Sequence, residues 1–218
     1  MRPTPSCVGP CPEDIVGNME LFIATGSVHK LAELGHALPG HVLRIPADAG
    51  IEGFEVEEDG STFLENALKK ARALFKLVGK PSLADDSGLV VRALGGAPGV
   101  LSARYGSTEK GTRLEAAERN AFLLANMSAR EDRSCAFVCC LVLVFSEERV
   151  FSVQETCTGL LLREPMGSGG FGYDPVVFLP ELGRSVAQLT IEEKNRLSHR
   201  GRACARMTAL IGELEARP

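Results

Sequence analysis

Apolar positions along this chain alternate between strand-like runs and helical stripes. Leu21 to Ala24 form a short apolar run that predicts a strand, and after Thr25-Gly26-Ser27 the spacing of Leu31, Leu34 and Leu38 predicts a helix. The clearest helical pattern lies between Gly60 and Gly79, where Phe63, Ala67, Ala71, Leu74 and Val78 make one stripe and Thr62 with Glu65 has capping-box spacing. A second short apolar run ends at the acidic pair Asp85-Asp86, and Ser87-Gly88 then permits a tight turn. Beyond the loop Gly95-Gly96-Ala97-Pro98-Gly99, a helix is expected from Thr108 to Met127, with Leu114, Ala117, Ala121 and Leu124 facing inward. Cys135 to Ser146 and Val150 to Cys157 read as two strands of a hairpin. The first is apolar almost throughout and belongs in the middle of a sheet, covered on both faces. Thr190 and Glu193 repeat the capping-box spacing, and a last helix, Arg202 to Leu214, carries Ala203, Met207, Leu210 and Leu214 on its apolar side.

Size and composition narrow the class. A chain of 218 residues suits one domain, or one core with two lobes, and buries about 70% of its unfolded surface on folding. With 44% hydrophobic and 24% charged residues and a net charge of −4, it carries no nucleic-acid footprint. An acidic protein that binds polyphosphate needs local positive charge or a metal. The seven cysteines show no paired zinc-ligand spacing, and Cys139 and Cys140 sit within an apolar strand as small hydrophobes. A reducing, cytoplasmic compartment is expected. The longest apolar run, Cys135 to Phe145, falls well short of the roughly 20 residues that span a bilayer. Residues 1–18 hold four prolines and are expected to be a disordered extension to a domain covering 19–218, with Met19 an expected alternative start.

Four stretches carry candidate chemistry. Thr25, Gly26, Ser27, Val28, His29 and Lys30 join a strand to a helix start, where backbone N–H groups and the helix dipole favour anions. Lys30 in the first helical turn opposes that dipole, which a phosphate partner would explain. Asp85 and Asp86 offer hard oxygen ligands suited to Mg²⁺, yet in an extended segment they point to opposite faces, so one is expected to be catalytic and the other structural. Glu65 is either a helix cap, a partner of Lys69, or a second metal carboxylate. The segment from Arg163 to Pro175 places Phe171 and Tyr173 among four glycines, as a flexible loop whose aromatic face can stack on a base or tuck into the core. Lys194 and the Ser198-His199-Arg200-Gly201 cluster add donors for phosphate or carbonyl groups.

Together, ATGSVHK, FLENA, LADDSGL, LGGAPGVLSARY, EPMGSGGFGYDP and EEKNRLSHRGRA resemble the inosine triphosphate pyrophosphatase family, in the family's order and over nearly everything from Met19 to the last helix. The resemblance implies an elongated two-lobed α/β fold with a long mixed central sheet flanked by helices, a nucleotide cleft between the lobes and a homodimer. It implies Mg²⁺-dependent hydrolysis of deaminated purine nucleoside triphosphates (ITP, dITP, XTP) between the α and β phosphates, giving the monophosphate and pyrophosphate. Carried over, Thr25 to Lys30 hold the phosphates, Glu65 and Asp86 serve the metal, and Asp86 is the proton acceptor. Ser87 contacts substrate, while Phe171, Gly172, Tyr173, Asp174, Lys194, His199 and Arg200 recognise the base.

One position departs from the family's phosphate loop, which reads T-G-N-x-x-K. Ser27 stands where asparagine is usual and offers one donor in place of two. Two other readings remain open at this level. A Maf-type pyrophosphatase would prefer other modified or pyrimidine nucleotides, against which the intact SHRG and GFGYDP motifs argue. A non-catalytic purine-nucleotide binder would not need Asp86.

Overall fold

The computed structural model describes residues 19–107 and 113–216; the expected extension at 1–18 lies outside them. One seven-stranded sheet organises the chain, in the order β2 (Val42–Arg44), β1 (Glu20–Ile23), β3 (Ser82–Val91), β4 (Ser134–Val144), β5 (Val150–Leu161), β6 (Val177–Leu179), β7 (Arg184–Ser185). β1 pairs parallel with β2 and β3, and every later pair is antiparallel, so the sheet is mixed as expected. β4 is the central strand, buried along most of its length. The β4–β5 hairpin forms as its sequence pattern predicts.

Helices cover both faces. α2 (Phe63–Val78) lays Ala67, Ala71 and Leu74 on Ala84, Cys140, Val142 and Val144. On the opposite face α1 (Val28–Ala37) and α5 (His199–Glu215) bury Leu34, Leu38, Met207 and Ile211 against Leu83, Leu141 and Leu143. Each such aliphatic side chain contributes roughly 1.5–3 kcal/mol by leaving water. Both clusters lie toward the Ser82/Val144 end of β3 and β4. A third cluster gathers at the Val91/Cys135 end, where Leu123 and Met127, at the end of α3 (Ala116–Asn126), meet Phe137, Tyr173 and Val176. The core is thus split along the strands, with Asp85 and Asp86 between its two ends.

Three expectations change. β3 runs straight through Ser87 and Gly88 without turning. Gly88 serves close approach, since a Cβ there would lie 2.3 Å from Ser102 Oγ and 2.6 Å from the Gly99 carbonyl, in the 3₁₀ turn Gly99–Arg104. α3 begins at Ala116, with Glu115 at its N-cap, and residues 108–112 of the expected helix lie outside the described residues. The last helix starts three residues early, at His199, because Ser198 caps it by accepting from Gly201 N at 3.1 Å; a separate short helix, α4 (Ile191–Leu197), starts from the Thr190 cap. No helix among the described residues is long and apolar enough to cross a membrane.

Candidate active site

β3 turns its two adjacent carboxylates to opposite faces, and their surroundings differ in kind. Asp85 is 1% exposed and saturated with donors. Its Oδ1 accepts from Lys30 Nζ at 2.5 Å and Ser87 Oγ at 2.9 Å, and its Oδ2 from Arg200 Nε at 2.9 Å and Cys139 Sγ at 3.1 Å. Burial pushes this carboxyl up, but Arg200 and Lys30 more than reverse it and hold it well below the ordinary carboxylate range. Asp86 meets Lys70 Nζ at 3.2 Å and Asn66 Nδ2 at 3.3 Å. Burial raises its carboxyl above the ordinary range despite the pull of Lys70 and Lys30, which makes the carboxylate a better proton acceptor. The two carboxylates therefore differ in their partners and in their affinity for a proton.

Glu65 does not join Asp86. Its Oε2 accepts from Ser61 N at 2.6 Å, Ser61 Oγ at 2.8 Å and Thr62 N at 3.2 Å, and Thr62 Oγ1 accepts from Glu65 N, so the carboxylate is spent on the helix cap. The α2 residues that do reach Asp86 are Asn66 and Lys70, one turn apart on one face, whereas Glu65 is rotated away by about 100° of helix. Lys70 Nζ also donates to Glu58 Oε1 at 2.6 Å and to the Asp85 carbonyl at 2.8 Å. Arg104 Nη2 holds the Glu58 carbonyl at 2.9 Å. No sequence motif assigns a role to Lys70, Asn66 or Glu58. The acidic run at 55–59, just ahead of the helix, was the available signal for Glu58. Glu58 and Asp86 share one ammonium, and the described residues contain no group of three or more His, Cys, Asp or Glu side chains that could hold a metal ion. Carboxylate oxygens of this kind suit a hard divalent cation, which fills its remaining positions with water and phosphate.

The loop expected to hold phosphate lies beside this pair, joined to it by the Lys30–Asp85 contact. Ser27 caps α1, accepting from Lys30 N at 3.3 Å, and Ser27 N donates to Thr25 Oγ1 at 3.1 Å. Gly26, Val28 and His29 are exposed at the helix start. Asparagine caps helices as well as serine does, so Ser27→Asn should keep α1 intact and lower the Michaelis constant for ITP or leave it unchanged. A large rise in steady-state assays would show a loop built around serine.

The residues expected on the base side lie close to one another. Phe171 stacks on His29, ring centres 5.1 Å apart and planes 9° off parallel, and Lys194 Nζ lies 4.8 Å from the Phe171 ring centre. Asp174 Oδ2 accepts from Phe171 N at 2.7 Å and Lys194 Nζ at 2.6 Å, and Gly172 adopts φ +61°, a conformation glycine takes freely. Tyr173 instead belongs to the core, its hydroxyl donating to the Ser102 carbonyl at 2.9 Å. Arg200, 2% exposed, bonds Asp85, Glu33 and, at 2.7 Å, Ser87 Oγ; Glu33 Oε1 in turn lies 2.6 Å from Lys194 Nζ. Arg200 thus ties Asp85, Ser87 and Glu33 together, and no sequence motif marked Glu33.

His199 is buried against Phe137, ring centres 4.8 Å apart, and its Nδ1 has no partner. Burial, then the nearby Arg200 charge, pushes its pKa well below the ordinary imidazole value, so the folded protein holds it neutral. The unfolded chain takes up that proton below about pH 6.5, so folded-state stability should fall as pH drops through that value, by up to about 1.4 kcal/mol per pH unit. His199→Phe keeps the stack and removes the titration. Urea midpoints at neutral and mildly acidic pH should therefore converge in that variant; an unchanged pH slope would discard the assignment.

Residues 21–210 match the Ham1 family. A dITP/XTP pyrophosphatase of Treponema denticola is 49% identical over 193 residues, covering 88% of this chain and 98% of that protein. A dITP/XTP pyrophosphatase of Nitrosomonas europaea is 40% identical over 201 residues, covering 91% and 97%. Among solved structures, a HAM1 protein from Coxiella burnetii is similar with a TM-score of 0.80 at 37% identity, over 89% of this chain and 99% of that one. A nucleoside-triphosphatase, dITP/XTP pyrophosphatase, from Mycobacterium abscessus gives a TM-score of 0.70 at 42% identity, over 87% and 98%. By the family match and by the identity to these relatives over most of its length, this chain belongs to the Ham1 family.

Proposed function

We propose that this protein hydrolyses deaminated purine nucleoside triphosphates, ITP, dITP and XTP, to the monophosphate and pyrophosphate, and so clears them from the nucleotide pool. The observation that carries the reading is the unequal pair on β3: Asp85 saturated and held ionised, Asp86 left with a raised carboxyl beside Lys70 and Glu58. Asp86 accepts the proton of the attacking water. Lys30, the open start of α1 and Ser87 receive phosphate oxygens; Phe171 stacks on the purine. His199 and Arg200 are the donors we assign to a 6-oxo purine, and a site built around such a hydrogen bond rejects an analogue lacking it by roughly 10⁴-fold or more. Asp86 and Glu58, not Glu65, are the carboxylates for a divalent metal, here Mg²⁺. When bound, the ion draws charge from the phosphate oxygens and orients the nucleophile. A homodimer in the cytoplasm completes the proposal; the five free, buried cysteines among the described residues are compatible with a reducing compartment.

The deciding assay is pyrophosphate release with and without Mg²⁺ from ITP, dITP and XTP against ATP, GTP and the pyrimidine triphosphates. Selective, metal-dependent release from the first three is expected. A pyrimidine preference would favour the Maf-type reading, and ITP binding without release would favour a binder.

A further inference from the structure

Phe171 sits in a segment with little stiffness of its own, since Gly167, Gly170 and Gly172 all adopt positive φ. Its aspect toward the cleft is therefore set by bonds from outside. Asp174 and Lys194 supply one anchor. The other comes from α3, 52 residues away in sequence, where Asn120 Nδ2 donates to the Gly172 carbonyl at 3.0 Å. Asn120 is 4% exposed, and its Oδ1 is buried without a partner. A buried orphan acceptor costs about 1–3 kcal/mol, so an apolar residue would serve this packed helix face at least as well. What the amide adds is the bond to the base-side loop. Arg119 beside it reinforces the placement, with its guanidinium carbon 5.7 Å from the Tyr173 ring centre and Nη1 bonded to the Leu114 carbonyl at 2.8 Å.

We propose that Asn120 is a positioning residue for base recognition: it fixes the Gly172 carbonyl and thereby the tilt of the Phe171 ring, without touching substrate. This rests on Phe171 being the stacking face for the purine. Asn120→Leu removes the donor and the orphan acceptor together, which keeps the stability change small; Asn120→Ala is the second variant. In both, the KM for ITP should rise about tenfold with kcat held within about threefold, as expected when one bond that orients bound substrate is lost. The preference for ITP over ATP should fall, while inhibition by pyrophosphate, a probe of the phosphate side alone, stays at the wild-type level. Hydrogen exchange at residues 167–174, measured without nucleotide, should quicken in both variants. Unchanged exchange overturns the proposal whatever the substrate proves to be. So does a KM rise matched by an equal weakening of pyrophosphate inhibition, or loss of the fold in both variants, either of which makes Asn120 a general packing residue. A wild-type protein with no ITP preference, but with the exchange response intact, would count against the substrate reading and for the anchor.

Discussion

Asp86→Asn lowers kcat by roughly 10²–10⁴-fold, the range a positioned general base supplies, while ITP binding persists. The amide keeps the shape of the carboxylate and its contact with Lys70, so what disappears is the capacity to take a proton and to ligate a hard cation. Glu58→Gln should weaken Mg²⁺ dependence along with turnover, because Glu58 holds the same ammonium at 2.6 Å. Glu65→Gln is the contrasting variant. Its carboxylate lies on the exposed helix start, engaged by Ser61 and Thr62, so activity should stay near wild type with a modest loss of thermal stability. A Glu65→Gln enzyme as inactive as Asp86→Asn would return Glu65 to the metal and remove Glu58 from it.

Arg200→Met unfolds the protein at a markedly lower temperature. Removing one partner of a buried ion pair leaves the other uncompensated and costs about 3–5 kcal/mol. For a chain of this length that is on the order of 10 °C in Tm. Two carboxylates each lose one of two cations, Asp85 its bond to Nε and Glu33 its bond to Nη1, with Lys30 and Lys194 left as their remaining partners. In the intact protein the depressed Asp85 pKa contributes stability that is present above the unfolded value and lost as pH falls through the folded one. Without Arg200, burial pushes that carboxyl upward, so the acid limb of a stability profile should also move to higher pH. A Tm within a few degrees of wild type at neutral pH would contradict this account.

Both predictions concern residues whose roles were only half legible in the sequence. Local pattern was sufficient for α2 with its Thr62–Glu65 cap, for the β4–β5 hairpin and for β4 as the central strand, because capping and alternation are short-range signals. Glu65 reads two ways for the same reason: capping-box spacing and a well-placed metal carboxylate look alike in sequence, and in the structure its carboxylate caps α2. The phase of α2 on β3 selects Asn66 and Lys70. Gly88 resembles a turn residue, and only the arrival of Ser102 beneath it shows why a side chain is excluded. Glu33 lies 167 residues from Arg200, and Asn120 is similarly remote from Gly172. Contacts of that range leave no spacing to read.

Lys30 is already committed before any nucleotide arrives, its ammonium 2.5 Å from a carboxylate with no exposed side-chain surface. On the proposed role of Lys30, a phosphate approaching it would enter a competition between two anions for one cation, and the affinity gained would be the difference between them rather than the full attraction. That tempers the grip on any phosphate, product included. A lysine with nothing to give up would bind more tightly and let go more slowly, so the resident carboxylate makes this site one suited to turnover rather than to storage.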